Sequence, residues 1–259
     1  MIYPYLHWQI IPIAKRLLIN PSCLALGQVA NWSCALKLLA LDTATEACSA
    51  AVLINDEIIE RYEIAPRRHA ALILPMLEAV LAEAGLNVTQ LNALAFGRGP
   101  GAFTGIRIAS GVIQGIAFAA DLPVAPISTL AAIAKDTVYQ HGVDRVVATI
   151  DARMGEVYWG TYMADADEGV LLVGEEQVCS PNTAPLLAEG EWYGAGSGWL
   201  TYAEGLQRRL GITTWWGDSY PRAGDIAMLG AIACQRGETV AAELALPVYL
   251  RDKVVNRAS

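Results

Sequence analysis

The chain has 259 residues, 54% of them hydrophobic, with 18 basic against 26 acidic side chains and a net charge of −8. That length can bury one large core or two modest ones. The acidic balance excludes a protein that grips DNA or RNA mainly by counterion release, which needs clustered Lys and Arg.

The first 36 residues carry Lys15 and Arg16 but no acidic residue, and Asn20-Pro21 breaks their apolar run. They are expected to lie outside the fold, as a mis-assigned start or translated upstream sequence rather than a targeting signal. From residue 37 the pattern is regular. "LKLLALDTAT" is a continuous apolar run ending in Asp42 and threonines, which predicts a buried strand and turn. "CSAAVLINDEIIERYEI" predicts a hairpin, with strands 48–54 and 57–64 around Asn55-Asp56. Residues 69–86 have helical length and close on Gly85. "LNALAF" reads as a strand, 101–121 as a helix stopped by Pro123, "VAPIST" as a short strand and "TLAAIAKDTVYQHG" as a third helix. This order predicts an α/β layered lobe over 37–143.

A second lobe, 144–259, is predicted to begin with "RVVATIDARMGEVYWGTYM": an apolar strand ending in Asp151, a turn through Gly155, and a returning strand. "EWYGAGSGWL" reads as a strand and glycine turn, "AGDIAMLGAIACQRG" as a late helix that could pack back on the first lobe, and "ALPVYLRDKV" as an extended tail. The two lobes open alike, which suggests an internal duplication. No stretch of 18 or more residues is free of polar interruption, so no membrane span is expected.

The glycine loop "GRGPGAFTGIR", 97–107, invites a phosphate-binding reading. A P-loop needs Lys-Ser/Thr after its last glycine, and here Gly105 is followed by Ile106-Arg107. The dinucleotide fingerprint fails too, because Gly99 and Gly101 lead to Thr104, one residue short of Gly105. A tight strand-to-helix turn is the better expectation. Asp42, Thr43, Thr45 and Asp151 sit where a nucleotide enzyme would orient magnesium and phosphate, yet the same residues cap hairpin turns. His7, His69 and His141 stand far apart, and the five cysteines are scattered with no C-x-x-C pair. No metal site is expected, and the thiols suit a reducing cytoplasm.

In 69–86, Leu72, Met76, Val80 and Ala84 form one apolar stripe and Ile73, Leu77 and Leu81 another, with Leu74 outside both. In 101–121, Gly111, Gly115 and Ala119 recur every four residues, so another helix could approach closely. Two readings stand: these helices pack on each other, or they form a surface shared with a second protein. Trp192, Trp199, Trp215 and Trp216 have no interleaved Lys or Arg for base stacking and suit a core.

"LLALDTATEACSAAVL", "ALAFGRGPGAFTGIRIASGVIQGIA", "IDARMGEVYW" and "PVYLRDKV" together resemble the bacterial TsaB family of tRNA threonylcarbamoyladenosine biosynthesis proteins. The resemblance spans about residues 37–253 and has no counterpart to the leader. It implies a two-lobed actin-like ATPase (ASKHA) fold, each lobe a mixed sheet with packed helices. It also implies a required, non-catalytic partner that dimerises with its paralogue TsaD, the threonylcarbamoyl transferase, and is joined by the ATPase TsaE. TsaC makes the activated threonylcarbamoyl donor separately, and tRNA contact would be indirect. On this reading the chain needs no cofactor of its own, could self-associate when alone, and uses helices 69–86 and 101–121 as the partner surface. The residues named for that surface are Leu72, Ile73, Met76, Leu77, Val80, Arg107, Gly111 and Gly115. An active small-molecule kinase or ATPase of the same fold remains the alternative, resting on Asp42, Thr43, Thr45 and Asp151. A glycoprotease-like peptidase would need a catalytic constellation that three distant histidines do not supply.

Overall fold

A computed structural model of the chain describes residues 36–54 and 57–251. The expectations about the leader and about the turn at Asn55-Asp56 therefore fall on residues outside the described ones, Leu36 excepted.

β1 (Lys37–Asp42), β2 (Ala47–Ile54) and β3 (Glu57–Ile64) form an antiparallel meander, and β4 (Ala93–Gly99) and β5 (Val124–Ser128) add in parallel on the other side of β1. The sheet order is β3-β2-β1-β4-β5. β6 (Arg145–Arg153), β7 (Glu156–Asp165) and β8 (Gly169–Cys179) repeat the meander, with β9 (Tyr193–Ala195) and β10 (Trp215–Trp216) added in parallel beyond β6. Read from the other edge, this sheet is β8-β7-β6-β9-β10, the same topology strand for strand. The echo in the sequence is thus a duplication of the whole sheet. β8 lies where the sequence reading places no element, because its alternation is broken by adjacent exposed Leu171 and Leu172.

The helices complete the repeat. α1 (His69–Glu83) and α2 (Phe103–Ala120) cover one face of the first sheet, and α4 (Ser197–Leu210) covers the corresponding face of the second. α4 starts inside the predicted glycine turn. Its cue is weak, since the helix opens on Ser197-Gly198 and bends at Tyr202. α3 (Thr129–His141) and α5 (Ala223–Gln235) lie between the sheets and are exchanged. α3 follows β5 yet packs on β6 and β7; α5 follows β10 yet packs on β1, β2 and β4. Gly230 permits that approach, because a Cβ there would stand 2.7 Å from the Ala95 methyl. The boundary at 143/144 separates the two sheets and not the packed layers.

Strand alternation explains the layering. Leu38 and Ala40 face α5, while Leu39 and Leu41 face α1 and α2. The inner core runs without interruption from Leu38 through Ile226 and Leu130 to Val146 and Tyr162, so the lobes share one apolar interior. Trp159, Trp192 and Trp199 build the outer core of the second lobe, and Trp216 stacks on His141 with centroids 3.6 Å apart. The N-terminus of α5 is fixed to the first sheet by hydrogen bonds from Ala223 N to Ser49 Oγ and from Gly224 N to Glu60 Oε1. The buried Glu60 also pairs with Arg222 at 2.6 Å.

α2 reaches 18 residues and is, by length and composition alone, apolar enough to cross a membrane. The polar Arg107 and Gln114 lie within this helix and still leave it a high mean hydropathy. Here Ile106, Ala109, Ile113 and Ala117 of that helix are buried against the sheet.

Candidate functional site

The loop between β4 and α2 folds around the turn after β1. Ala102 N donates to Ala44 O at 2.7 Å, and Thr43 Oγ1 donates to Gly105 O at 2.7 Å. Cβ atoms at Gly101 and Gly105 would stand 2.3 Å from Ala44 O and 2.0 Å from Thr43 O. Those glycines are required by close approach of the chain to itself. The question raised by "GRGPGAFTGIR" has a structural answer: its backbone clasps the Thr43-Ala44 turn.

Asp42 lies at the centre of this clasp and is fully buried. Its Oδ1 accepts from Ala44 N at 2.9 Å, while Oδ2 has no hydrogen-bond partner among the described residues. Oδ2 would lie 1.8 Å from a Cβ at Gly97. Burial pushes the Asp42 carboxyl up to about 7, only partly offset by the Ala44 hydrogen bond. Thr45 Oγ1 accepts from Ala47 N. In the second lobe Asp151 Oδ1 accepts from Arg153 N at 2.8 Å and from the Tyr202 hydroxyl at 3.2 Å, and Oδ2 pairs with the Arg153 guanidinium at 2.9 Å. Asp42 Oδ1, Thr45 and Asp151 thus engage their own turns, and Thr43 bonds across the clasp to Gly105, which leaves Asp42 Oδ2 as the one oxygen of the set without a partner among the described residues. Among the described residues no cluster of three His, Cys, Asp or Glu side chains could hold a metal.

Three contacts tie the clasp to the second sheet. Arg98 of the glycine loop stands 3.8 Å from Glu176 of β8, which also accepts from Ser128 Oγ and from the Tyr162 hydroxyl. Burial first, then Glu176, raises the Tyr162 phenol well above its ordinary range. Arg153 reaches Glu46 at 3.6 Å. The tail after α5 supplies the third contact: Val248 N donates to Arg98 O at 2.8 Å, and Arg251 bonds to Arg153 O and Glu156.

The outer helices sort the residues expected at a partner surface. Ile73, Met76, Leu77 and Val80 are buried at 3% exposure or less, under α1 against β2 and its neighbours, and Leu72 packs at their margin. Both stripes of α1 therefore serve the chain's own core, which removes these residues from an external surface. What α1 leaves outside includes Ala70, Ala71, Leu74, Pro75 and Glu78, with Leu74 51% exposed. On α2 the pattern is the reverse. Arg107, Gly111 and Gly115 face outward, and a Cβ at either glycine would meet nothing within 4 Å. Phe103 and Phe118, 55% and 85% exposed, bracket this open stripe. Both aromatics were available to sequence reasoning, since they continue the spacing of Arg107, Gly111 and Gly115 by a turn in each direction.

Two like sheets, two exchanged helices between them and a clasped turn where each lobe begins define an actin-like, two-lobed protein. The family model for TsaD, tRNA N6-adenosine threonylcarbamoyltransferase, matches residues 51–190. The curated TsaB protein of Escherichia coli, a tRNA threonylcarbamoyladenosine biosynthesis protein, is 42% identical over 232 residues, covering 85% of this chain and 96% of its own length. Its counterpart in Haemophilus influenzae is 42% identical over 227 residues, covering 85% and 95%. The solved structure of YeaZ from Pseudomonas aeruginosa superposes with a TM-score of 0.79 at 46% identity, covering 83% of this chain and all of that one. The chain belongs to the TsaB family of tRNA threonylcarbamoyladenosine biosynthesis proteins, and shares its fold class with the paralogous TsaD.

Proposed function

We propose that this chain is the non-catalytic, activating subunit of the complex that places threonylcarbamoyl on the adenosine beside the anticodon of tRNAs reading A-starting codons. It acts by dimerising with a TsaD-type transferase through the outer face of α2. The observation that carries this reading is the open stripe Arg107-Gly111-Gly115 bracketed by exposed Phe103 and Phe118. An apolar helix face left uncovered beside small residues suits close approach of another helix. Leu74 of α1 extends the face.

The chain takes no nucleotide of its own in this proposal, and the ATP used by the complex is handled with TsaE. Support comes from Thr43 and Asp151, whose polar atoms are engaged within the chain. A net charge of −8 leaves tRNA to the partner. TsaC acts upstream in the same pathway. The free thiols Cys48, Cys179 and Cys234 suit the cytoplasm.

Gly115→Leu tests the surface. Nothing within 4 Å obstructs the new side chain, so folding is expected to survive while affinity for TsaD falls about tenfold or more. An unchanged affinity in titration calorimetry argues against this face. In the cell, depletion should lower threonylcarbamoyladenosine in digested tRNA, measured by mass spectrometry, and a plasmid copy starting at Leu36 should restore it.

A further inference from the structure

The α2 face does not end at the helix. The tail crosses α2, with Ala245 O accepting from Ser110 Oγ at 2.6 Å and from Gln114 Nε2 at 3.3 Å, and Val248 N anchored on Arg98 O. Between that anchor and the Arg251 contacts with Arg153 O and Glu156, Tyr249 is held at the end of α2. Its ring lies 6.0 Å from that of Phe103. The Arg107 guanidinium stands 3.5 Å from the Phe103 centroid and 5.4 Å from the Tyr249 centroid. Arg107 has no carboxylate within ion-pair distance among the described residues. The nearby arginines differ: Arg98 faces Glu176, Arg153 faces Asp151 and Glu46, and Arg251 faces Glu156.

We infer that Phe103, Arg107 and Tyr249 form a preformed socket for a carboxylate carried by a helix of the partner subunit, so that the C-terminal tail is part of the docking surface. The inference rests on the proposed docking through α2 and names the chemistry of that contact. Stacking on Phe103 holds the guanidinium plane while leaving its N–H edge free, the arrangement that suits bidentate contact with a carboxylate. Tail anchors on both sides of Tyr249 mean that little ordering is needed on binding. RNA is the weaker occupant, because nucleic acid binding accumulates over several neutralised phosphates and this socket offers one uncompensated cation. A second copy of the chain is weaker too, since the exposed face of α2 carries no carboxylate before its C-cap Asp121, and of the exposed acids of α1, Glu78 and Glu83, the second is already paired with Arg61.

The test uses the full chain and its TsaD partner, with Arg107→Glu, Tyr249→Ala and Gly115→Leu measured by calorimetry at about 50 and about 300 mM salt. Arg107→Glu should weaken binding about tenfold or more at low salt and by less at high salt, and Tyr249→Ala several-fold, with unfolding midpoints unchanged. If Gly115→Leu weakens the complex while Arg107→Glu and Tyr249→Ala do not, the socket is overturned and docking through α2 stands. If none of the three weakens it, both fail. A loss of tRNA binding with unchanged partner affinity would reassign the socket to RNA. Loss of a homodimer in sedimentation with unchanged partner affinity would reassign it to self-association.

Discussion

The turn after β1 and the turn after β6 begin with the same sequence pattern and occupy equivalent places in equivalent sheets, yet they are built in opposite ways. The first is closed. Asp42 is fully buried, one of its oxygens has no partner among the described residues, and at Gly101 of the β4–α2 loop and Gly105 of the first turn of α2 backbone comes to within 2.3 Å of where a side chain would begin. The second is open. Asp151 takes three donors from Arg153 and Tyr202, the hairpin tip Met154 is 70% exposed, and a Cβ at Gly155 would meet nothing within 4 Å. Duplication supplied the same strand-Asp-turn unit twice, and the layers packed over each copy decided its chemistry. The first copy became a rigid support for α2, while the second became a hairpin that the tail and Glu46 hold against the first lobe.

The contrast can be broken most severely at Gly105. Gly105→Val would drive a branched side chain into Thr43 O, which is backbone and cannot swing away. The variant is expected to lose the native near- and far-ultraviolet circular dichroism at room temperature; an unfolding midpoint within about 5 °C of the parent would show that the clasp is loose.

A smaller effect concerns Asp42. Its carboxyl sits at about 7 in the folded state against 3.8 for an ordinary side chain, so between those values the folded protein holds a proton that the unfolded chain releases. Stability should therefore fall as pH rises from about 4 to about 7, by up to about 4 kcal/mol, and stay level above that. Asp42→Asn keeps the acceptor for Ala44 N and should lack this decline. Denaturant melts at several pH values would show parallel curves if the buried carboxyl is already ionised at pH 4. Least costly is Tyr202→Phe, which removes one donor to Asp151 and leaves the others. A loss of about 0.5–1.5 kcal/mol is expected, and a loss of several kcal/mol would mean that the second turn is as interdependent as the first.

Much of this molecule was legible from residue order. The apolar runs of β1 and β6, the stop at Gly85 and the four-residue repeat Gly111-Gly115-Ala119 each report a local preference that the fold respects. Position in space was not legible. The stripes Leu72-Met76-Val80 and Ile73-Leu77 announce an apolar arc without saying what will cover it, and β2 and its neighbours take most of it. β8 escaped because its alternation is broken, and α4 because it opens on Ser197-Gly198 inside a glycine-rich stretch that reads as a turn, although Trp199, Tyr202, Leu206 and Leu210 recur at helical spacing. Tyr249 was visible only as part of the tail motif "PVYLRDKV", since an aromatic in an extended tail acquires a role only from what it lies against.

The sequence by itself determined the doubled α/β pattern, the failure of both phosphate-loop motifs and the family to which the chain belongs, because these depend on local spacing and on short runs of residues. Only the tertiary structure decided that α3 and α5 exchange between sheets, that Asp42 is sealed while Asp151 is satisfied, and that α2 rather than α1 keeps an open face. Those outcomes depend on which surfaces meet across long separations in the chain. Burial is a property of the assembled layers, and no single segment carries it.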